Sequence, residues 1–368
     1  MIATSAILQN VPLLEGLPDE LLEQLARELT EVTVPAGEWI LREGEPAHSM
    51  FLIRRGRVEV VDERPPETVI RVLRRGAVLG ELALLREGTR SASARARHDT
   101  MLLELDRSSF ERLILDAPSV ALGLTRSMGA QLAASRSPMV AATPPRTIAV
   151  LGLEPAAPAG EVADGLAKAL GRYGSVAMLR AGELSTIDQA ARDADRVILH
   201  VPLTAAEDWT ELCLAEADVL VAVTTGSPSR GWMQRKMALW GCELLVLGTR
   251  ATDDMLAAFR PREVQVIADV SARRGTLEQT GRRFAGRAVG VVLSGGGARG
   301  LAHLGALEEL AAAGIEIDRV AGVSMGAAVG GAVAAGFTPD EAYETFRLGF
   351  VASNPTHDFA PPVYSLIR

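Results

Sequence analysis

Short apolar runs broken by glycines fill the first third of the chain, and the pattern changes character twice before the C-terminus. Strand-length runs at 39–41, 50–53, 58–60, 69–73 and 101–103 are separated by Gly37, Gly44, Gly56, Gly76, Gly80 and Gly88. Strands this short, evenly spaced between turn residues, predict an antiparallel roll or barrel. Helices over about 19–29 and 109–134 frame it. A stretch of small residues with Pro138, Pro144 and Pro145 follows and reads as a linker over 136–146.

From residue 147 the apolar runs become nearly continuous, at 147–151, 176–179, 197–201, 219–223 and 244–247, with helix-length stretches between them. Strands that are apolar on both faces predict a parallel, doubly wound sheet. The first of them runs into Gly152-Leu153-Glu154-Pro155, where a nucleotide-binding version would carry a glycine-rich phosphate loop. Neither GxxxxGK[ST] nor GxGxxG stands there, so this block reads as a Rossmann-like scaffold without a ligand signal. A third block opens near Arg287. A strand at 288–293 enters a glycine loop, and a helix over 301–313 ends at Gly314. A second strand at 319–323 meets a helix over 325–335 closed by Gly336. The organisation expected is a roll domain over 1–135, the linker, an α/β domain over 147–285 and a further α/β portion over 287–368.

Composition narrows the picture modestly. With 368 residues, 48% hydrophobic and 23% charged, the chain suits a soluble protein of two or three domains. A net charge of −8 argues against a nucleic-acid partner. The local basic clusters Arg54, Arg55, Arg57 and Arg71, Arg74, Arg75 read as solvated strand edges. Cys213 and Cys242 lack metal-ligand spacing and fit a reducing compartment. Residues 1–10 show no signal-peptide pattern, which favours a cytoplasmic location. The uncharged stretch 320–337 carries Gly322, Gly326 and Gly330 at GxxxG spacing, yet its glycines and alanines predict a buried strand and helix rather than a membrane span.

Two constellations carry chemistry. The first is Gly80-Glu81-Leu82 followed by Arg90-Ser91-Ala92. A glutamate can accept a hydrogen bond from a ribose hydroxyl, and an arginine fork pairs a cyclic phosphate. Backbone N–H groups at the start of a short helix would add an anion nest. With the flanking 35–38 and 51–58 segments, these residues resemble the phosphate-binding cassette of cyclic nucleotide-binding domains, over roughly the first 130 residues. The resemblance implies cAMP or cGMP as an allosteric ligand at Gly80, Glu81, Leu82, Arg90, Ser91 and Ala92. A roll that has kept the fold and lost the ligand is the competing reading. No helix-turn-helix follows it, so a transcription-factor role is not expected.

The second constellation is Gly295-Gly296-Gly297-Ala298-Arg299-Gly300, then Gly322-Val323-Ser324-Met325-Gly326. The latter is the GxSxG pattern of a nucleophile on a strand-to-helix turn, where flanking glycines allow close strand–helix contact. The former also spells GxGxxG, but a dinucleotide site wants an acidic residue ending the second strand, and Glu316 and Asp318 both precede that strand. The two motifs joined by one helix resemble the patatin-like phospholipase family, and with the upstream nucleotide cassette, its neuropathy target esterase branch. That resemblance implies Ser324 as the nucleophile of a Ser–Asp dyad and residues Gly295, Gly296, Gly297, Ala298, Arg299 and Gly300 as the oxyanion hole. Gly322 and Gly326 would shape the elbow.

It implies a lysophospholipid or related ester substrate, no cofactor for catalysis, and peripheral contact with membranes. The family's Asp-Gly-Gly or Asp-Gly-Ala turn does not follow Ser324 within the 44 residues after it. Asp340 reads as part of a helix-start capping box, and Asp358 beside His357 is a poor substitute. His303 reads as packing; His48, His98 and His200 have no constellation around them. Two outcomes therefore stand open: an esterase regulated by a cyclic nucleotide, or a truncated, silent chain acting as a nucleotide-binding module, its hydrolase fold completed by a partner chain or an oligomer.

Overall fold

The computed structural model describes residues 18–65, 67–85, 88–116, 144–248, 250–268 and 270–352, with Leu8 and Leu14. The expected helix beyond 116, most of the linker, residues 1–7, His357 and Asp358 lie outside the described residues. Two compact units divide the chain after Gly281.

The first unit opens with the roll. Its elements are α1 (Asp19–Glu28), β1 (Thr30–Val34), β2 (Trp39–Leu41), β3 (Ser49–Arg55), β4 (Val58–Asp62), β5 (Thr68–Leu73), β6 (Val78–Leu79), α2 (Glu81–Leu85), β7 (Ser93–Ala96), β8 (Thr100–Asp106) and α3 (Arg107–Asp116). They form two four-stranded sheets, β1-β8-β3-β6 and β2-β7-β4-β5, with antiparallel pairing. Strand β3 has a core on each face. Phe51 and Ile53 pack with Val58, Leu79 and Leu102 between the sheets. Met50 and Leu52 pack outward against Leu22 and Leu25 of α1 and Phe110 and Leu113 of α3. Burial on both faces accounts for its unbroken apolar run. Strands β1, β6 and β7 were not visible in the pattern, because they are polar or only two residues long.

The same unit continues with β9 (Thr147–Gly152), α4 (Ala159–Leu170), β10 (Val176–Leu179), α5 (Leu184–Asp193), β11 (Arg196–Val201), α6 (Glu207–Glu216), β12 (Val219–Thr224), α7 (Arg230–Gln234), β13 (Glu243–Leu247), α8 (Asp253–Phe259), β14 (Glu263–Ile267) and α9 (Val270–Phe284). The sheet is six-stranded and parallel throughout, in the order β10-β11-β9-β12-β13-β14. Central strand β9 is buried along its whole length. Edge strand β14 alternates between more and less exposed positions, so its sequence carries no continuous apolar run. Burial pushes the Cys242 thiol up to about 12 and the Cys213 thiol higher, so both act as packing groups.

The basic clusters do more than line strand edges. Arg57, 5% exposed, pairs with Asp218 at 3.0 Å and donates to the Glu216 carbonyl. Arg74 reaches the same Asp218 at 3.2 Å, and Arg75 pairs with Asp188. Asp218 also accepts from the backbone N–H groups of Arg146 and Thr147 at 2.8 and 3.0 Å. The guanidinium of Arg95 lies between the rings of Trp39 and Trp240, at 5.3 and 5.2 Å. Roll and α/β sheet are thus joined by a charged seam; for Arg57, Arg74 and Arg75 the expectation of solvated edges fails because the α/β block supplies Asp218, Asp188 and Glu216 opposite them.

The second unit holds β15 (Gly290–Leu293), a 3-10 turn (Gly297–Leu301), α10 (Ala302–Ala312), β16 (Arg319–Gly322), α11 (Met325–Ala334) and α12 (Pro339–Phe346). Strands β15 and β16 pair in parallel. Leu293, Leu304, Leu307, Val329, Ala342 and Phe346 make its core. The Asp318 carboxylate, with no exposed side-chain surface, accepts from Arg282 Nε at 2.8 Å and from Val289 N–H at 2.9 Å, fixing the entry to β15. Left-handed Gly314 and Gly336 close α10 and α11. The 320–337 stretch is strand and helix, and no helix among the described residues is long and apolar enough to cross a membrane.

Candidate nucleophile elbow and nucleotide cassette

Ser324 stands at the junction of β16 and α11 with φ 54 and ψ −124. A non-glycine residue in this region carries strain of about 1–3 kcal/mol, held by its surroundings. The surroundings are glycines. A Cβ on Gly322 would overlap the Gly326 backbone, and one on Gly326 would lie 2.5 Å from the Ser294 carbonyl oxygen. A Cβ on Gly300 would lie 2.7 Å from Met325 Cβ. Backbone bonds lock the turn: Val323 N–H donates to Leu293 O at 3.1 Å, and Gly326 N–H to Val323 O at 3.0 Å. Ser324 is consequently presented on the surface at the N-terminus of α11, where the helix dipole favours negative charge.

The glycine loop lies beside it. The Cβ position of Gly295 is 3.2 Å from Ser324 Cβ and 3.9 Å from its Oγ. Gly295, Gly296, Gly297, Ala298 and Arg299 are exposed and Gly300 is buried, so the loop faces outward on the side of the serine. His303 spans back from α10, its Nε2 2.9 Å from the Ser294 carbonyl oxygen. That contact places the ring on the loop's backbone. Thr338 and Glu341 form the reciprocal capping box of α12, with Asp340 in its first turn. Among the described residues, no side chain hydrogen-bonds the Ser324 hydroxyl.

In the roll, β6 leads through left-handed Gly80, φ 84, into α2. Glu81 is 3% exposed and Arg90 7%. Arg90 Nη1 donates to the Gly80 carbonyl at 3.1 Å, and its guanidinium lies 6.0 Å from the Phe51 ring centre. Its backbone is fixed by Arg90 N–H to Glu45 O and Gly44 N–H to Arg90 O, at 2.8 and 2.9 Å. Desolvation, ahead of the opposing pull of Glu45 and Glu104, lowers the Arg90 pKa, yet a guanidinium stays charged at neutral pH. Arg90 forms no ion pair among the described residues. A nearly buried cation is costly unless an opposite charge compensates it. Leu82 and Ala92 are half-buried and Ser91 exposed around it. Sequence reasoning did not single out Phe51, because an aromatic in an apolar strand reads as core.

Residues 31–117 match the cyclic nucleotide-binding domain family, and residues 291–357 the patatin-like phospholipase family. An uncharacterized NTE family protein of Mycobacterium tuberculosis (strain CDC 1551 / Oshkosh) is 31% identical over 98% of this chain. A protein of Aspergillus fumigatus named lysophospholipase nte1 is 24% identical over 88% of it. The chain spans 63% of the mycobacterial relative's length and 28% of the fungal one's. Among solved structures, the catabolite activator protein of Thermus thermophilus is 27% identical, covering 44% of this chain and 70% of its own, with a TM-score of 0.33.

Proposed function

From a chain that joins a cyclic nucleotide-binding domain to the nucleophile-bearing part of a patatin-like phospholipase domain, we propose a serine esterase of lysophospholipase type under cyclic-nucleotide control. The observation that carries it is Ser324 at φ 54, held by glycines whose side chains would collide with backbone, with Gly295 against it. Strain of this kind is retained where it aims a reacting group.

In this reading Ser324 Oγ attacks the ester carbonyl, and N–H groups of residues 295–300 receive the developing oxyanion. The tetrahedral intermediate collapses, the alcohol leaves, and water releases the acyl group from Ser324. The patatin resemblance supplies an aspartate as the proton acceptor; among the described residues of 282–352 no carboxylate hydrogen-bonds the serine. The substrate class, a lysophospholipid or related ester, is supported by the name of the fungal relative. In the roll, Arg90 pairs the cyclic phosphate of cAMP or cGMP and Glu81 accepts from the ribose 2′-OH.

Hydrolysis of lysophosphatidylcholine by the protein and by Ser324→Ala tests the esterase. A fall of at least about a thousandfold is expected, and equal rates overturn the assignment. One observation favours a second reading: the Ser324 hydroxyl has no hydrogen-bond partner among the described residues. Nucleotide binding without any serine-dependent hydrolysis would establish that reading, a nucleotide-binding module with a silent hydrolase portion.

A further inference from the structure

The parallel sheet of the first unit has a topological switch point between β9 and β12, because the chain leaves β9 toward β10 on one side and β12 toward β13 on the other. Open α/β sheets bind their ligands in the crevice beyond the strand ends at such a point, with a phosphate against the helix that follows the first strand. Here the crevice already contains an anion, and it belongs to the chain. The carboxylate of Glu154, two residues beyond β9, accepts from Thr224 Oγ1 at 3.1 and 3.0 Å and from Thr225 Oγ1 at 2.8 Å. It also accepts from the Thr225 backbone N–H. Glu154 is 6% exposed and Thr224 fully buried.

Much of the loop's backbone is unavailable to another anion. Between β9 and α4 it reads Leu153-Glu154-Pro155-Ala156-Ala157-Pro158. Two of the six are prolines, which have no N–H to offer. Leu153 N–H donates to Val223 O at 3.0 Å and Ala157 N–H to Glu154 O at 3.1 Å, while Ala159 N–H at the head of α4 donates to Ala157 O at 2.9 Å. At β12's end, the Thr224 and Thr225 hydroxyls and the Thr225 N–H all go to Glu154.

We infer that Glu154 is an internal ligand: its carboxylate fills the anion subsite of the α/β block, which is thereby a closed structural element rather than a nucleotide receptor. A buried carboxylate gripped by two hydroxyls and a backbone N–H secures the β9–α4 turn to β12 as a bound phosphate would. The inference is independent of the esterase reading.

Chemical rescue tests it. Glu154→Ala empties the subsite, so its melting temperature should fall and should be raised selectively by formate or acetate over chloride at equal ionic strength. The parent protein should show no such response. Should Glu154→Ala fail to fold, the parent decides: inorganic phosphate and ATP should leave the amide resonances of Thr225 and Gly226 unmoved. A shift of those resonances on adding phosphate or ATP would overturn the inference. So would a Glu154→Ala protein as stable as the parent, or one that gains nothing from the small carboxylates.

Discussion

At the scale of single residues, the candidate chemistry depends on side chains placed against their intrinsic preferences. Arg90 is a nearly buried cation whose only described hydrogen bond from the side chain goes to the Gly80 carbonyl. Arg90→Gln keeps donors but removes the charge, and calorimetry with cAMP and cGMP should show binding weakened at least about a hundredfold, as loss of a charge-assisted, bidentate contact predicts. His98 is the clearest pH-sensitive group. Burial, then Arg97 and Arg57 beside it, hold its ring well below the ordinary 6.5, and among the described residues neither ring nitrogen has a hydrogen-bond partner.

The fold keeps His98 neutral, whereas the unfolded chain takes up a proton below about 6.5. Its stabilisation is therefore present above that pH and declines as pH falls, by up to about 1.4 kcal/mol per unit. The gap between denaturant midpoints at pH 7.5 and 5.5 should be larger in the parent than in His98→Phe. His200, lowered by burial and then Arg180, contributes in the same direction and remains in both proteins.

At the scale of elements, two glycines of α11 make opposite predictions. Gly326→Ala would press a methyl onto the Leu293 and Ser294 carbonyls where strand and helix meet, so it should unfold the elbow and lower the melting temperature of the second unit. Gly331→Ala, on the same helix with nothing within 4 Å of the added carbon, should stabilise by about 0.5–1 kcal/mol through helix propensity. Thermal unfolding of the two variants checks both. Most elements could be read from the chain because their apolar periods are long and their ends carry glycines: Gly314 and Gly336 sit left-handed where the pattern placed helix ends. Strands β1, β7 and β14 escaped that reading, being partly polar sequences whose pairing comes from neighbours distant in sequence.

At the scale of the whole molecule, the seam between roll and α/β sheet is built from one buried arginine and the carboxylates around Asp218. Arg57→Ala removes the closest cation of buried Asp218 while Arg74 and two backbone N–H groups remain, which should cost about 1–3 kcal/mol in equilibrium unfolding. Glu216 lies in the same seam. Burial raises its pKa against the opposing pull of Arg57 and Arg75, so removing either arginine should raise it further. Strand β12 runs from this seam, at Asp218, to the Glu154 grip at Thr224 and Thr225, so one strand ties both ends of the block.

The sequence alone determined the local devices: the GxSxG turn, the glycine loop before it, the Glu81 and Arg90 cassette, and the buried parallel strands. Each depends on residues close together in the chain, where steric demands at a turn or a period of apolar positions leave few alternatives. Tertiary structure decided what those devices meet. Arg57 and Asp218 are 161 positions apart, and Glu154 and Thr224 are 70 apart. No local pattern could pair them, because a charged residue reads as solvent-facing until the fold brings a partner to it. Only the folded chain shows basic clusters closing a seam and a glutamate standing where a ligand's phosphate would lie.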